Sequence, residues 1–524
     1  MERLEEYLTG KIKGISKQKK ALFLSVFLFG LFAHGYMFTN NLTYHDGILS
    51  INSLGATFNL GRFVLGFLEI AGKSTVGVFA SPLFHGMLSL LFIAVSGMLV
   101  LDILHIKGIL SAIYTGIVMA VFPVVTSIFT FMYTSSAYWF ALFLNVLAVW
   151  AMVRRQGIKR AIISGTLLAT AMGIYQAYFT VTITLFFISL MVDMFENMRI
   201  RIRDIVIRGI WYLSTMGIGL VGYLILNKII VTIGGIGLST YEGINEVGKI
   251  QLSKIPFMIW NAYYYMLYEI KWCGVNTTMF QRLLAWGIIF ITILFLILFV
   301  LKSNGAKKNK VLLFFMMLLL PMALNSIYLM SSSENYSPHI LMRYSLVFVF
   351  IIPIILLEHT KRIEAVDKGR LICRNGLSIC LLLFMWLLPV TYIYLDNASY
   401  LKADFLKEQT TAWFTELIAE IKSTEGYEDD LPVVYIGERE VKDIGLAEMP
   451  YFDTISADGF GYNLEDLINN YAWRAFVERH CGYSPEEIWE RERYEEMDEI
   501  KQMPSYPDKG SIQVIDNVVV VKFS

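Results

Sequence analysis

The chain is poor in the groups that keep a soluble protein in water. Only 17% of its 524 residues are charged, against about 25% in an average globular domain. Hydrophobic residues make up 56% and aromatic residues 14%, and the mean hydropathy is +0.55. A soluble enzyme is excluded. Cysteine is scarce as well: there are four, too few for a disulfide scaffold. Cys273 and Cys481 fall on the expected outer side, and Cys373 and Cys380 lie within an apolar run. At most one bridge is available, and no metal-ligand spacing occurs. Neither sign of charge is in excess, with 44 Lys and Arg against 44 Asp and Glu, so nothing points to nucleic acid.

What the chain does have is long apolar runs. A helix crossing a hydrocarbon core of about 30 Å needs roughly 20 largely apolar residues. Such stretches lie at 21–38, 82–103, 108–131, 136–153, 160–174, 177–195, 209–232, 280–301, 311–330, 342–358 and 371–394. The expected fold is therefore mainly α, a polytopic membrane protein of about eleven transmembrane helices. The apolar stretch 160–195 is too long for one crossing and is interrupted at Gly173-Ile174-Tyr175-Gln176, which reads as a hairpin or a broken helix.

Lys and Arg in short loops are retained on the cytoplasmic side. They cluster at Lys11–Lys20, Arg154–Arg160, Arg199–Arg208, Lys302–Lys310 and Lys361–Arg370, on alternate loops. Residues 1–20 are then a basic cytoplasmic N-terminus, and 21–395 form the polytopic domain. The loops 39–81, 132–135, 233–279 and 331–341 face outward, as does everything after Leu395. The first apolar segment is too long for a signal-peptide core and reads as an uncleaved signal anchor. A multi-pass bacterial plasma-membrane protein is the expected localisation.

From Asp396 the composition turns acidic, with about 28 acidic and about 12 basic residues in 396–524. Helical spacing over 400–422, a buried strand at Pro432–Gly437, helices at 464–480 and 485–500, and a hairpin turning at Asp516-Asn517 predict a small α/β extracytoplasmic domain. Gly459-Phe460-Gly461 matches no nucleotide-binding glycine pattern and reads as a turn.

An outward-facing site has no cytoplasmic nucleotide sugar within reach, so an enzyme there needs an energised donor already on the outer leaflet, such as a polyprenyl-phosphate sugar. The first outer loop supplies suitable groups. Asp46 can act as a base toward an acceptor hydroxyl, and Arg62 and Lys73 can stabilise a departing phosphate. Arg62 is the better match, because its planar fork binds two oxygens and it stays charged when partly buried. Each has a plainer reading. Asp46-Gly47 fits a turn, His45 either orients the carboxylate or is satisfied locally, and Glu69 and Lys73 at i, i+4 fit an ion pair on a helix face. Arg343 enters a late span from outside, where it meets substrate or snorkels to the interface. Tyr175 and Gln176 sit at the helix break, where polar groups facing a cavity are tolerated. The run Trp260–Glu269 is aromatic enough either for sugar faces or for an interfacial belt.

Together, His45-Asp46, Gly61-Arg62-Phe63, Gly173–Tyr178 and Met342-Arg343-Tyr344 resemble the bacterial serotype-converting glucosyltransferases of the polytopic GT-C class. The outer domain, opening with a helix and the Pro432–Gly437 strand, is similar too, so the resemblance covers nearly the whole chain. It implies inverting transfer of glucose from a polyprenyl-phosphate donor to an envelope glycan, with Asp46 as catalytic aspartate and Arg62 or Arg343 on the phosphate. The bilayer and a donor-synthesising membrane protein are the other partners to expect. Where the family often shows two adjacent acids, this chain has Asp46-Gly47. One carboxylate is a poor Mg²⁺ site, so no metal and no other cofactor is expected. The rival readings are an outer-leaflet glycan polymerase or ligase with a diphosphate-linked donor, and a lipid-linked sugar flippase or transporter. The latter predicts internal repeats and mid-membrane charges. The sequence displays neither convincingly, and His34 reads as a satisfied buried histidine.

Overall fold

A computed structural model describes residues 14–42, 45–239, 251–272, 278–303, 305–331, 338–360, 368–438 and 472–524. The chain divides into two compact units, Met1–Asn41 with Asn52–Asn397, and Leu42–Ile51 with Ala398–Ser524. Gly459–Gly461, expected as a turn, and the first half of the expected 464–480 helix lie outside the described residues.

The first unit is helical. It comprises α1 (Lys17–Thr39), then, after the short α2 (His45–Leu49) of the second unit, α3 (Phe63–Lys73), α4 (Pro82–Ile103), α5 (Ile109–Val121), α6 (Pro123–Phe129), α7 (Met132–Arg154), α8 (Ile158–Met172), α9 (Phe179–Glu196) and α10 (Ile202–Gly234). It continues through α11 (Ile255–Trp272), α12 (Met279–Lys302), α13 (Lys307–Leu324), α14 (Phe348–Thr360) and the start of α15 (Lys368–Ser423). Among the described residues seven helices are long and apolar enough to cross a membrane, or eight if α5 and α6 count as one bent span. Of the eleven expected spans, 160–174 and 342–358 are helices of 15 and 13 residues. The 18-residue α13 begins Lys307-Lys308-Asn309-Lys310 and so is short of uninterrupted apolar length.

Two interruptions have local causes. Phe122 is extended before Pro123, as the residue before a proline prefers, and α5 and α6 meet at a 42° bend. The long apolar stretch breaks where expected: α8 ends at Met172 and Tyr175 is extended, before a short 3-10 turn at Gln176–Tyr178 leads into α9. At the opposite end of the bundle the basic loop residues meet acids. Lys19 lies 2.7 Å and Arg154 3.8 Å from Asp102, and Trp150 Nε1 donates to the same carboxylate. Arg208 pairs with Asp193, and His105 lies 3.1 Å from Glu196. Glu358 accepts from the backbone N–H groups of Lys107 and Gly108 and so caps α5; a carboxylate at a helix N-terminus suits the macrodipole.

In the second unit β1 (Val433–Ile436) pairs parallel with β3 (Val518–Lys522), and β3 pairs antiparallel with β2 (Ile512–Ile515), giving the order β1-β3-β2. Val518–Val521 are all buried, as befits a central strand covered on both faces. Asp516 and Asn517 both have positive φ, the geometry of the type I′ hairpin turn. The expected helix at 400–422 is the last part of α15, which buries Phe414, Leu417 and Ile421. The expected helix at 485–500 is corrected. Ile488 N–H donates to Val433 O, and Val433 N–H donates to Glu486 O, so this stretch runs extended beside β1. Only α17 (Glu492–Glu495) and α18 (Asp498–Gln502) are helical, after α16 (Trp473–Cys481). The local helical pattern of 485–500 loses at its start to an open strand edge that needs hydrogen bonds.

Candidate functional site

The first unit gathers its irregular backbone into one place. Thr57–Leu65 is sewn to the break at 173–176. The N–H groups of Val64 and Leu65, which α3 itself leaves without partners, donate to Gly173 O at 2.8 and 3.2 Å. Gln176 Nε2 donates to Leu60 O at 2.8 Å and to Tyr223 Oη at 3.0 Å, and Tyr223 Oη donates to Gly61 O at 3.2 Å. Gly61 is left-handed, with φ 69°, and a Cβ there would lie 2.5 Å from Tyr223 Oη. Glycine alone meets both demands.

This turn delivers Arg62. Its Cζ lies 5.5 Å from the ring centroids of both Tyr138 and Tyr175, which stack on each other at 4.0 Å and 12°. The residue is half-buried, and its Nε is buried without a hydrogen-bond partner among the described residues. Burial lowers the guanidinium pKa, but the phenols of Tyr138, Tyr175, Tyr133 and Tyr223 outweigh it and the net direction is upward. Arg62 keeps its charge. A fixed cation with an unused donor, set beside a pair of stacked rings, is suited to a planar or tetrahedral oxyanion. Asn227 Oδ1, Trp139 Nε1 and Tyr178 Oη are also buried without partners among the described residues. Such groups in one neighbourhood are polar capacity that a ligand can use.

The aromatic layer runs on to the second cluster. Tyr175 meets Tyr178 at 5.1 Å, and Tyr344 lies 6.0 Å from Tyr178 and 5.0 Å from Trp139. Tyr344 Oη donates to Met119 O. Arg343 is buried, donates through Nη2 to Pro338 O at 2.6 Å, and stands 5.7 Å over Tyr328. Tyr328 stacks at 4.7 Å and 2° on Tyr265, which joins the aromatic run of α11 to the Arg343 turn.

Arg62, Tyr175 and Gln176 thus come together, and rings link them to Arg343. Glu69 and Lys73 pair with each other at 2.5 Å, with Lys73 52% exposed, and Leu54 N–H donates to Glu69. Asp46 and His45 open helix α2 in the second unit, where α2 contacts α16. Residues 332–337 lie outside what is described. Sequence reasoning missed Tyr138, Tyr223 and Asp396. The polar run Thr134-Ser135-Ser136 at the head of a span marked Tyr138's surroundings, whereas Tyr223 sits in an apolar run that carries no signal. Asp396 is buried and accepts from Thr126 Oγ1 at 2.7 Å; an acid at the end of the last span was the available clue. Among the described residues no group of three or more His, Cys, Asp or Glu stands together to hold a metal ion.

A helical membrane protein with a charged, aromatic-roofed site at one end of its bundle is the class these features define. The family model described as Glucosyl transferase GtrII matches residues 35–354, more than half of the chain, and the chain belongs to that family. It is a glycosyltransferase. No curated protein and no solved structure matches it.

Proposed function

We propose that the protein transfers glucose from a polyprenyl-phosphate donor to a hydroxyl of an envelope glycan, with inversion at the anomeric carbon. The cradle of Arg62 carries this reading: a half-buried cation with a buried, unused Nε donor beside the Tyr138–Tyr175 stack suits the phosphate of a lipid donor. Asp46 takes the proton of the acceptor hydroxyl as its oxygen attacks C1. The C1–O bond to phosphate breaks, and its electron pair leaves with polyprenyl phosphate. The added negative charge is met by Arg62 and Arg343, which is where stabilisation matters most for rate. Lys73, already paired with Glu69, adds to the positive field, while Tyr175 and Gln176 hold Arg62 in place and His45 orients Asp46.

The same reading places about eleven spans in a bacterial plasma membrane, with the N-terminus cytoplasmic and residues 396–524 outside, facing the acceptor polymer. A membrane protein that synthesises the donor is a natural neighbour. The test is transfer of labelled glucose in membranes from polyprenyl-phosphate-glucose, beside a diphosphate-linked donor, for the wild type, Asp46→Asn and Arg62→Ala at matched folding. Monophosphate-dependent transfer that both variants lose is expected. Full activity of Asp46→Asn sinks the base assignment, and use of the diphosphate donor alone turns the reading to a polymerase or ligase.

A further inference from the structure

We infer that Trp489, with Arg474 and Glu487, forms a sugar-stacking platform on the second unit that binds the neutral glycan acceptor. The inference rests on the glucosyl-transfer reading above. It begins with strand alternation. The backbone of 486–488 is pinned beside β1 by hydrogen bonds at Glu486 and Ile488 and by the Val433–Glu487 bridge. Ile488 packs against the core built from Val434, Ile436 and Val520, so its neighbours Glu487 and Trp489 are directed to the other face. Trp489 is held in position and yet 68% exposed.

Its exposed area is a large aromatic surface that a ligand can meet. One ring face is occupied: Arg474 Cζ lies 3.2 Å from the Trp489 centroid. The guanidinium is anchored from behind by Glu487, whose side chain is only 8% exposed and which Arg491 also approaches at 3.9 Å. Arg474 Nε is buried with no hydrogen-bond partner among the described residues. The arrangement is a ring backed on one face by a guanidinium that Glu487 holds, with most of its remaining surface open to solvent. Pyranose rings meet such surfaces with C–H bonds against the ring and hydroxyls on the flanking polar groups.

Charge selects among occupants. Glu486, Glu490, Glu492, Glu495, Glu496, Asp498 and Glu499, all within ten residues of Trp489 in the chain, are exposed, against Arg474, Arg491 and Arg493. That field repels phosphate headgroups and acidic polymers, which disfavours a membrane anchor and leaves an uncharged polysaccharide. The acceptor in a glucosyl transfer is a polymer of this class.

The test uses the full chain in detergent micelles and, as probe, delipidated envelope polysaccharide from the source cell, with binding followed by saturation-transfer NMR and no donor present. Trp489→Ala is expected to weaken binding about tenfold, the equivalent of one good stacking contact, while Trp489→Phe keeps most of it. In transfer assays Trp489→Ala raises the acceptor KM by a similar factor and leaves kcat at saturating acceptor unchanged. Equal binding by wild type and Trp489→Ala overturns the inference, and so does quenching of Trp489 by brominated lipid without polysaccharide binding. Trp489-dependent binding without any glucosyl transfer from polyprenyl phosphate keeps the platform and removes the reading beneath it.

Discussion

Gly61→Ala tests the core of the site through a single methyl group. A non-glycine residue held at φ near +69° costs about 1–2 kcal/mol. The new Cβ would sit 2.5 Å from Tyr223 Oη and 3.2 Å from Gln176 Nε2, closer than real contacts allow. Tyr223 must withdraw, breaking its bonds to Gly61 O and Gln176, each worth about 1 kcal/mol net. The expected loss is about 3–4 kcal/mol of stability, read as the denaturant midpoint of the full chain in mixed micelles. Because Arg62 is the next residue, transfer falls at least about tenfold even where the protein is still folded, since small displacements of positioned groups are expensive in rate. Gly237→Ala is the control: its Cβ would have no neighbour within 4 Å and its φ is ordinary, so it stays within about 0.5 kcal/mol. A Gly61→Ala protein as stable and as active as wild type refutes the account of this turn.

Arg62→Lys keeps the charge but loses the planar fork and the contact with the Tyr138–Tyr175 stack, so transfer drops by about ten- to a hundredfold, matching one or two charge-assisted hydrogen bonds; equal rates for Lys and Arg would show that a point charge suffices. Tyr138→Ala removes one of the two rings at 5.5 Å from Arg62 and raises the donor KM several-fold, worth about 1 kcal/mol, whereas Tyr138→Phe holds it near wild type. Burial, then Lys407 and Arg479, keep the His480 pKa below its ordinary value. Its neutral form is therefore favoured by folding. The stability this contributes is complete above the unfolded pKa of about 6.5 and fades as pH falls through the lower folded value. Protection of the 473–481 amides, taken relative to their intrinsic exchange rates at each pH, should fall as pH drops below about 6.5, and His480→Gln should flatten that dependence; an unchanged profile in the variant would remove His480 as its source.

Much of the architecture was legible because apolar length and helix breaks are local properties. Gly173–Gln176 announced its break through an overlong run, and Asp516-Asn517 its turn through residues that tolerate positive φ. What stayed hidden was set by partners distant in sequence. Glu486–Ile488 read as helix until β1 offered an edge to pair with. Arg62, Tyr175 and Gln176 could be singled out by type and place, but Tyr138 and Tyr223, which complete the cradle, lie 76 and 161 residues beyond Arg62 and carry no polar signal that an ordinary membrane tyrosine lacks. Glu69 and Lys73 came out as the i, i+4 pair that their spacing allows.

The position of the site follows from what a bilayer demands of a backbone. Non-helical chain at membrane depth survives only where protein re-satisfies its N–H and C=O groups. The segments 57–62, 173–178 and 338–347 are among the described places where this chain abandons regular α-helix, and they satisfy one another or nearby side chains: Gly173 O accepts from the free donors of α3, Gln176 donates to Leu60 O, and Arg343 donates to Pro338 O. Breaking a helix exposes groups that must be repaired, and the repair fixes the side chains around it. Each interruption then presents a polar or cationic group, Arg62, Gln176 or Arg343, on a rigid aromatic layer. Straight helices would have been easier to place in lipid. They would have offered these groups only to the interface or to hydrocarbon, where a guanidinium snorkels instead of being held in place.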